Sequence, residues 1–518
     1  MDARPAQVTD GGLRVELRRW FADPYADAIA AARTCYSDRV IRPEEVTEGQ
    51  RSRIGPLTFE GGHHTVYQHN TFEFSLEGIS RQLVWSFLHR HPFYNSEQQS
   101  QRYVLLSEAR AHVPPSLEGQ DRELYESAIL DAWAAYADLD RLLRPVVRDR
   151  LSELWNLGRR KSRSFRRSIE RDVEKRSIET ARYVIPVACH TAMVHTVSGL
   201  VLHRLRRMSR SGDVPEEASA LVARMVALVE EVDPDFFRFV GREPFAEEDL
   251  LEARTHEAVP VSEQWRTDFD RRLGKRRARL VSATPDAPAR VADAVRTVLG
   301  RGAGELPDAA AIEAILDPAR NPYRHDTLNV STHSPLMQAL DHAHYSFEKR
   351  LSHTADSQDQ RHRMVPGSRP LLSHHDTLEP DLEVPALIDA DPRARARFDE
   401  AVTALWDAKN TLVRRGVDPR LAQYLLPNAR SVRFTESGSL LHLVHKWTQR
   451  TCLNAQREIY EASLDEVEAV RSLHPELVKW IGPPCVVRNG IVRPRCTEGS
   501  HFCGVPVWLS FPAVERAI

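Results

Sequence analysis

Hydrophobic and polar residues alternate between His69 and Gly78. Phe72, Phe74 and Leu76 are separated by single polar residues. A period of two predicts a strand with one buried face. A glycine such as Gly78 commonly marks the end of such a segment, so we expect the strand to stop there.

The spacing of apolar residues changes after this strand. Ile79, Leu83 and Phe87 recur every four positions, which predicts an amphipathic helix. The polar segment 92–104 follows and is expected to be a loop. Further along, residues 120–175 have the pattern of helices. A second strand beginning near Ala181, followed by more amphipathic helices, is predicted up to about residue 241.

Several segments of the chain recur in the same order, which indicates a domain duplication. The spacing between copies is far longer than that of a solenoid repeat. We therefore predict a first domain over 1–245, a partly helical connector over 246–318 and a second domain over 319–518. The matched pairs are 79–91 with 351–363, 69–74 with 342–347, 181–188 with 422–429, and Ser198-Gly199 with Ser437-Gly438.

Composition narrows the class of protein. The chain has 518 residues, of which 42% are hydrophobic and 28% charged, and its net charge is -2. This length favours several domains in a globular protein, and no basic field favours nucleic acid or a membrane surface. The first residues lack the basic and apolar parts of a signal peptide, so the sequence predicts a cytoplasmic protein.

The polar segment ends in a loop that is suited to a phosphate. Ser100, Gln101, Arg102 and Tyr103 follow the predicted helix directly. A hydroxyl, a guanidinium and nearby backbone N–H groups are the donors that phosphate oxygens accept from. The alternative is an ordinary turn in which these groups satisfy the loop's own backbone.

These motifs together resemble the flavin-dependent thymidylate synthase family. That family has a His-x-Thr motif, an Arg-His-Arg triplet and then a Ser-x-Arg-Tyr loop. The resemblance implies the α/β (α+β) fold of the family, present here in two tandem copies. The segments that carry it are Ala31–Ser37, His63–His69, Gly78–Arg81, Ser100–Tyr103 and Ala181–Pro186.

The two copies depart from the family pattern in complementary ways. The first reads His89-Arg90-His91 or, in a register shifted by one, Arg90-His91-Pro92 where Arg-His-Arg is expected. The second keeps the triplet but has MVPGSRP in place of the Ser-x-Arg-Tyr loop. In that segment only Ser368 and Arg369 remain as candidate phosphate ligands.

The resemblance implies a composite site with parts from both copies. Arg450, which precedes an Ala-Gln-x-Glu-Ile motif, matches the family arginine that promotes ionisation at N3 of the uracil ring. A lone surface arginine is the ordinary alternative. The expected flavin-binding residues are Arg361, His362, Arg363, His63 and Thr65, and the expected nucleotide-binding residues are Ser100, Gln101, Arg102, Tyr103 and Arg182.

The implied reaction is the reductive methylation of dUMP to dTMP. Methylenetetrahydrofolate would give the carbon, NADPH the hydride, and FAD would mediate the transfer. Family members are tetramers with shared sites, so the resemblance implies a homodimer of this chain. The alternatives are a catalytically decayed relative that binds a flavin or pyrimidine nucleotide, and a flavin enzyme with another pyrimidine substrate.

Four of the six cysteines lie near the end of the chain. Zinc takes four Cys or His ligands in a tetrahedron, so a structural zinc ion is one interpretation. The spacings contain no close Cys-x2-Cys pair, and small buried hydrophobic groups are the alternative. The candidate ligands are Cys452, Cys485, Cys496 and Cys503.

Overall fold

The computed structural model describes residues 7–8, 12–155, 163–255, 261–514 and 516. Within these residues the strands form two four-stranded antiparallel sheets, with the orders β1-β2-β4-β3 and β5-β6-β8-β7. The equal orders confirm two tandem copies of one α+β fold. The strands are β1 Arg14–Arg19, β2 Thr71–Ser80, β3 Asn95–Gln98, β4 His190–Ser198, β5 Ala278–Ala283, β6 His344–Ser352, β7 Gly367–Ser368 and β8 Ser431–Ser439.

Helices surround both sheets. Those of the first half are α1 Pro24–Thr34, α2 Glu48–Glu60, α3 Arg81–Leu83, α4 Gly119–Trp155, α5 Arg163–Ala181, α6 Gly199–Arg207, α7 Pro215–Val232, α8 Asp235–Arg238, α9 Leu251–Thr255 and α10 Glu263–Leu273. Those of the second half are α11 Ala287–Leu299, α12 Asp308–Leu316, α13 His353–Asp359, α14 Ala386–Asp389, α15 Pro392–Arg414, α16 Pro419–Ala422, α17 Leu440–Arg450, α18 Arg457–Leu473, α19 Pro475–Val478 and α20 Pro484–Val487. No helix of the described part is both long enough and apolar enough to cross a membrane.

The predicted strand is β2, but it runs past Gly78 to Ser80. Gly78 adopts a φ of +70°, and the register shifts between Glu77 and Ile79. This bulge lets the strand continue. The predicted helix therefore starts two residues late, where the Ser80 hydroxyl accepts from the Leu83 N–H at 2.9 Å. The polar segment after it is a loop in part only, because it contains β3.

The second copy repeats this arrangement and corrects one sequence match. Ser80 pairs with His190 in the first sheet and Ser352 pairs with Ser431 in the second, which confirms where the match of 79–91 with 351–363 begins. At the other ends of β4 and β8 lie Ser198 and Ser439, and each occupies the N-cap position of the next helix. The match of Ser198 with Ser437 was therefore wrong by two residues.

The segment predicted as a connector contributes to the second sheet. Its strand β5 pairs with β6, with Ala278 opposite Lys349. Helices α9 to α12 also fall within this segment. The short apolar run 278–283 was missed because arginine-rich and proline-rich flanks dominate its composition.

The copies are joined by a short antiparallel ladder around Pro186 and Pro427. The Val187 N–H donates to the Leu426 carbonyl at 2.9 Å, and the Asn428 N–H donates to the Ile185 carbonyl at 2.8 Å. The alignment of the two copies maps each of these hydrogen bonds onto the other. The ladder therefore lies on a pseudo-twofold axis.

A shared hydrophobic core also links the copies. Helix α4 packs against α15, and Tyr136 and Leu139 lie in one apolar cluster with Phe398 and Leu405. Because this cluster contains side chains of both copies, neither half closes its core alone.

Candidate functional site

The Arg-His-Arg triplet of the second copy lies on β3 of the first. Arg361 Nη2 donates to the Ser96 carbonyl oxygen at 3.1 Å. Arg363 Nη1 donates to Asn95 Oδ1 at 2.8 Å, and its guanidinium lies 4.8 Å from the centroid of the Tyr94 ring. The end of α13 thus places two guanidinium groups beside the loop of the other copy.

His362 and Arg450 are in direct contact. Arg450 Nε donates to His362 Nε2 at 2.7 Å, and its Nη2 donates to the Gln358 carbonyl at 3.1 Å. Burial lowers the pKa of Arg450 to about 10, and the charges of Arg102 and Arg361 act in the same direction. Burial and the charge of Arg450 hold the pKa of His362 well below 6.5. His362 is therefore neutral and accepts through Nε2.

Arg102 of the first copy reaches the same place. Its Nε forms an ion pair of 2.6 Å with Glu179. Its Nη2 donates to the Asn454 carbonyl at 2.7 Å, and its Nη1 lies 3.4 Å from Gln358 Oε1. Burial alone would lower the pKa of Arg102, but the Glu179 carboxylate raises it. Arg102 and Arg450 therefore both contact Gln358, one through its side chain and one through its backbone.

Arg182 lies in the interior between the copies. Its Nη2 donates to Gln456 Oε1 at 2.8 Å. Its Nε is buried and has no hydrogen-bond partner among the described residues. An unpaired buried donor is costly, so the site has an open donor suited to a ligand oxygen.

Gln101 joins the two copies at the floor of this region. Its Oε1 accepts from Asn428 Nδ2 at 3.2 Å, and its Nε2 lies 3.4 Å from Cys189 Sγ. The oxygen and the nitrogen of this buried amide are therefore both in contact with protein atoms.

The contacts of Ser100 and Tyr103 are those of an ordinary turn. The Ser100 hydroxyl accepts from the Arg102 N–H at 3.2 Å. Tyr103 is 57% exposed, and Lys175 Nζ lies 4.5 Å from the centroid of its ring. The loop thus presents Tyr103 at the rim.

His63 and Thr65 stand apart from the triplet. Both side chains are exposed at the turn that precedes β2. In the described part of the chain, no hydrogen bond, ion pair or ring contact joins either residue to Arg361, His362 or Arg363.

Arg81 belongs to the site, although the sequence patterns assigned it no role. It is buried and its Nη1 lies 3.4 Å from the Gln99 carbonyl. Burial and the charges of Arg182 and Arg361 lower its pKa to about 10. The signal was present in the motif Gly78–Arg81. Gln456 belongs to the Ala-Gln-x-Glu-Ile motif. The neighbours Glu179 and Gln358 carried no such signal, because only the fold brings them near.

The pseudo-equivalent place between the copies has lost two of these groups. The strand registers and helix caps put Ser209 at the position of Arg450 and Gln423 at that of Arg182. His89 stacks on Tyr94 with ring centroids 4.4 Å apart, and its Nε2 lies 2.9 Å from the Ser96 hydroxyl. The helix of the first copy has one residue more than α13, because Val84–Leu88 is a π-helical turn. After it Ser96 and Gly367 pair with the equivalent residues His195 and Glu436. These pairings favour the second register, Arg90-His91-Pro92, for the first copy.

The remaining arginine of the MVPGSRP segment is already paired. Arg369 forms two hydrogen bonds with the buried Asp356 carboxylate, of 2.7 and 2.8 Å. Asp356 also accepts from Trp85 Nε1 at 2.8 Å. The carboxylate that Arg369 binds therefore links the second copy to Trp85 of the first.

The zinc interpretation is not supported. In the described ranges no group of three or more His, Cys, Asp or Glu side chains is arranged to hold a metal ion. Burial raises the pKa of Cys452 to about 12 and that of Cys485 to about 11, so neither thiol is a ready thiolate. Cys485 packs with Leu453 and Tyr460 in a small apolar cluster, to which Cys496 and Cys503 are peripheral.

Comparisons with known proteins agree with the duplicated fold. The profile of the family described as thymidylate synthase complementing protein matches residues 16–235 and 279–476. The second match begins inside β5, in agreement with the role of that strand in the second sheet.

Curated relatives each match less than half of this chain. The flavin-dependent thymidylate synthase of Clostridium tetani is 27% identical over 234 residues, which are 44% of this chain and 87% of the relative. That of Geobacter sulfurreducens is 28% identical over 233 residues, 43% of this chain and 92% of the relative. That of Saccharolobus solfataricus is 29% identical over 157 residues, 30% of this chain and 60% of the relative. Since the family profile matches both halves and well over half of its length, the chain belongs to the thymidylate synthase complementing protein family.

Proposed function

We propose that this protein is a FAD-dependent thymidylate synthase that converts dUMP to dTMP at a composite site. The proposal rests mainly on one observation: Arg102 of the first copy lies next to the region around Arg450 of the second copy. Gln358 contacts both arginines, through Nη1 of Arg102 at 3.4 Å and Nη2 of Arg450 at 3.1 Å. The parts that the two copies kept therefore lie together.

The charges of the site fit a flavin dinucleotide. The charges of Arg182 and Arg361 both lower the pKa of Arg81, and the buried Nε of Arg182 is an open donor. Converging guanidinium groups suit the phosphates of a dinucleotide and of a nucleotide. Arg361, His362 and Arg363 would hold the flavin, whose reducible ring carries the hydride chemistry when bound.

The nucleotide would be held by the first copy and activated by the second. Ser100, Arg102 and Arg182 are proposed to bind the phosphate and sugar of dUMP, with Tyr103 at the rim. Arg450 would donate to the uracil ring and stabilise the anion at N3, a preorganised electrostatic role. The neutral His362 ring fixes the orientation of that guanidinium by accepting from its Nε at 2.7 Å.

Each chain would form one such site. At the pseudo-equivalent place Ser209 and Gln423 replace Arg450 and Arg182, and Arg369 is engaged by Asp356 at 2.7 Å. A site without these charges has little to offer a dinucleotide. We expect one FAD per chain at saturation.

Two chains are proposed to assemble as a homodimer. His63 and Thr65 are exposed and do not contact the triplet of their own chain, so their role at the flavin would require a second chain. Methylenetetrahydrofolate as the carbon donor and NADPH as the reductant belong to the same proposal.

The second candidate function is a non-catalytic nucleotide-binding relative. The observation that favours it is that Arg102 already has partners in Glu179, Asn454 and Gln358. These partners would leave fewer donors for a ligand. The two candidates differ in whether a bound flavin is reduced and whether dTMP is formed.

The deciding experiment is a spectroscopic titration of the purified protein with FAD. An enzyme should bind about one FAD per chain, lose the oxidised flavin band with NADPH, and form dTMP from dUMP and methylenetetrahydrofolate. Arg361→Gln should abolish this, whereas Arg110→Gln, which removes an exposed arginine paired only with Glu108, should not. Binding of dUMP without uptake of FAD would support the second candidate instead.

A further inference from the structure

Five charged side chains are buried together in the second copy. They lie on β6, β8, α17, α18 and the end of α13, and none is more than 1% exposed. We call Lys349, Asp359, Glu436, Lys446 and Glu466 the charge cluster.

The members of the charge cluster are in direct contact. Lys349 Nζ lies 2.9 Å from Glu436 and 2.8 Å from Glu466, and it also binds Asp359. Lys446 Nζ lies 3.3 Å from Asp359 and 3.5 Å from Glu466, and it also binds Glu436. Each lysine therefore bridges three carboxylates from three separate elements.

The fold itself does not require these charges. The strand registers and helix caps place largely apolar residues at the equivalent positions of the first copy. Buried charges lose their hydration and seldom add net stability over an apolar core, so their presence in one copy alone calls for another reason. The counterparts are Leu76, Leu88, His195, Leu205 and Met225.

The charge cluster lies directly beneath the Arg-His-Arg triplet and Arg450. Asp359 is the last residue of α13, and its carbonyl accepts from the His362 N–H at 3.1 Å. Lys446 precedes Arg450 by one helical turn on α17. The contact of Lys446 with Asp359 therefore clamps together the two elements whose side chains meet in the Arg450–His362 hydrogen bond.

The net charge of the charge cluster also suits the arginine-rich site next to it. Two ammonium groups face three carboxylates, so with all groups ionised the cluster carries one excess negative charge. Arg369 is the further cation beside it, 4.0 Å from Glu436, and is already bound to Asp356. The negative field of Asp359 supports the charged form of Arg450.

We propose that the charge cluster is a positioning device, specific to the second copy, that holds Arg450 and His362 in register and balances the charge of Arg450. This inference rests on the proposed function for the role of those two residues. The cluster itself touches neither flavin nor nucleotide. Its members are positioning residues that act through Arg450 and His362.

The test compares two buried lysines. Lys446→Met removes the clamp, whereas Lys409→Met removes a buried lysine of the same copy that binds Asp376 at 2.7 Å outside the cluster. Both variants lose a buried ion pair and should lose stability. Two readouts are measured: the dissociation constant for FAD, and the ring nitrogen resonances of His362 in the FAD-free protein.

Lys446→Met should weaken FAD binding by roughly tenfold, the equivalent of one charge-assisted hydrogen bond, and shift the His362 resonances. Lys409→Met should change neither. Asp359→Asn provides a second variant with the same expectation if Lys446→Met does not fold.

Unchanged His362 resonances in both Lys446→Met and Asp359→Asn would overturn the positioning role. If the wild type takes up no FAD, the proposed function fails, while the His362 readout still decides whether the clamp exists. The two failures are thus distinguishable.

Discussion

Arg102 Nη2 donates a 2.7 Å hydrogen bond to the carbonyl oxygen of Asn454, although 352 residues separate the two along the chain. Asn454 lies shortly after Arg450, so this bond brings the loop of the first copy to the region around Arg450 in the second. Each copy has lost a motif that the other copy kept, and this bond is consistent with that pattern. One copy can lose a motif where the other copy places the same motif at the same site.

Arg102→Met should therefore affect both affinity and stability. We expect dUMP binding to fall by roughly 100-fold through the loss of a charged phosphate donor. Stability should fall by about 1–3 kcal/mol, because Glu179 stays buried with Arg176 as its remaining partner. Calorimetric titration and urea unfolding measure the two effects. The double variant Arg102→Met/Glu179→Met should recover stability but not affinity, and a recovery of affinity would contradict the assignment.

Two tyrosines related by the repeat offer a matched comparison. The Tyr424 hydroxyl donates to Glu217 at 2.7 Å, and Tyr183 makes the equivalent bond to Glu458. Tyr183→Phe and Tyr424→Phe should each cost about 1–3 kcal/mol, since each leaves a buried carboxylate with one donor fewer.

Only Tyr183→Phe should also weaken dUMP binding. The Tyr183 hydroxyl accepts from Gln456 Nε2 at 2.5 Å, and Gln456 in turn binds Arg182. Equal effects of the two substitutions on dUMP affinity would show that the two places between the copies still work alike, against one site per chain.

We expect the protein to lose stability in acid because of His203. Burial, with the charges of Arg206 and His64, lowers its pKa from 6.5 to about 3. Below pH 6.5 the unfolded chain binds a proton at this residue that the native protein does not bind until about pH 3. The contribution of His203 to the free energy of unfolding is therefore fully present above pH 6.5 and is lost as the pH falls towards 3. At pH 5 about 2 kcal/mol of it has been lost.

The measurement is urea unfolding of the wild type and His203→Phe at pH 7 and pH 5. The ring packs against Phe59 and Phe236, with centroids 5.2 and 5.0 Å away, so phenylalanine should fit. The variant should lose about 2 kcal/mol less than the wild type between the two pH values. Identical losses would mean that His203 is protonated in the native state.

Gly78→Ala should destabilise the first sheet strongly. A Cβ at this position would lie 2.1 Å from the Gly12 carbonyl oxygen, and the φ is +70°. Gly300 has a similar φ of +62° in the left-handed region but open space around it. Gly300→Ala should cost about 1–2 kcal/mol, the strain of a left-handed residue, and Gly78→Ala clearly more. Equal losses in thermal unfolding would show that the β2 bulge relaxes.

The sequence alone determined the duplication, the alternating strand β2 and the positions of the motif residues. These features are local or repeat in order: Phe72, Phe74 and Leu76 alternate, and the triplet at 361–363 recurs where the first copy has its Arg-His segment, 89–92. Local patterns reflect the geometry of a single element, so they survive without knowledge of the fold. The strand β5 could not be predicted in this way, because its six residues depend on β6 for their structure.

The tertiary structure alone decided which residues meet. No local pattern links Arg102 with Asn454 or Arg182 with Gln456, because these contacts arise from the pseudo-twofold packing of two copies through the ladder at Pro186 and Pro427. The same holds for the charge cluster, whose five members come from five elements. A hydrogen bond or ion pair depends on distance in space, and only the folded chain sets that distance.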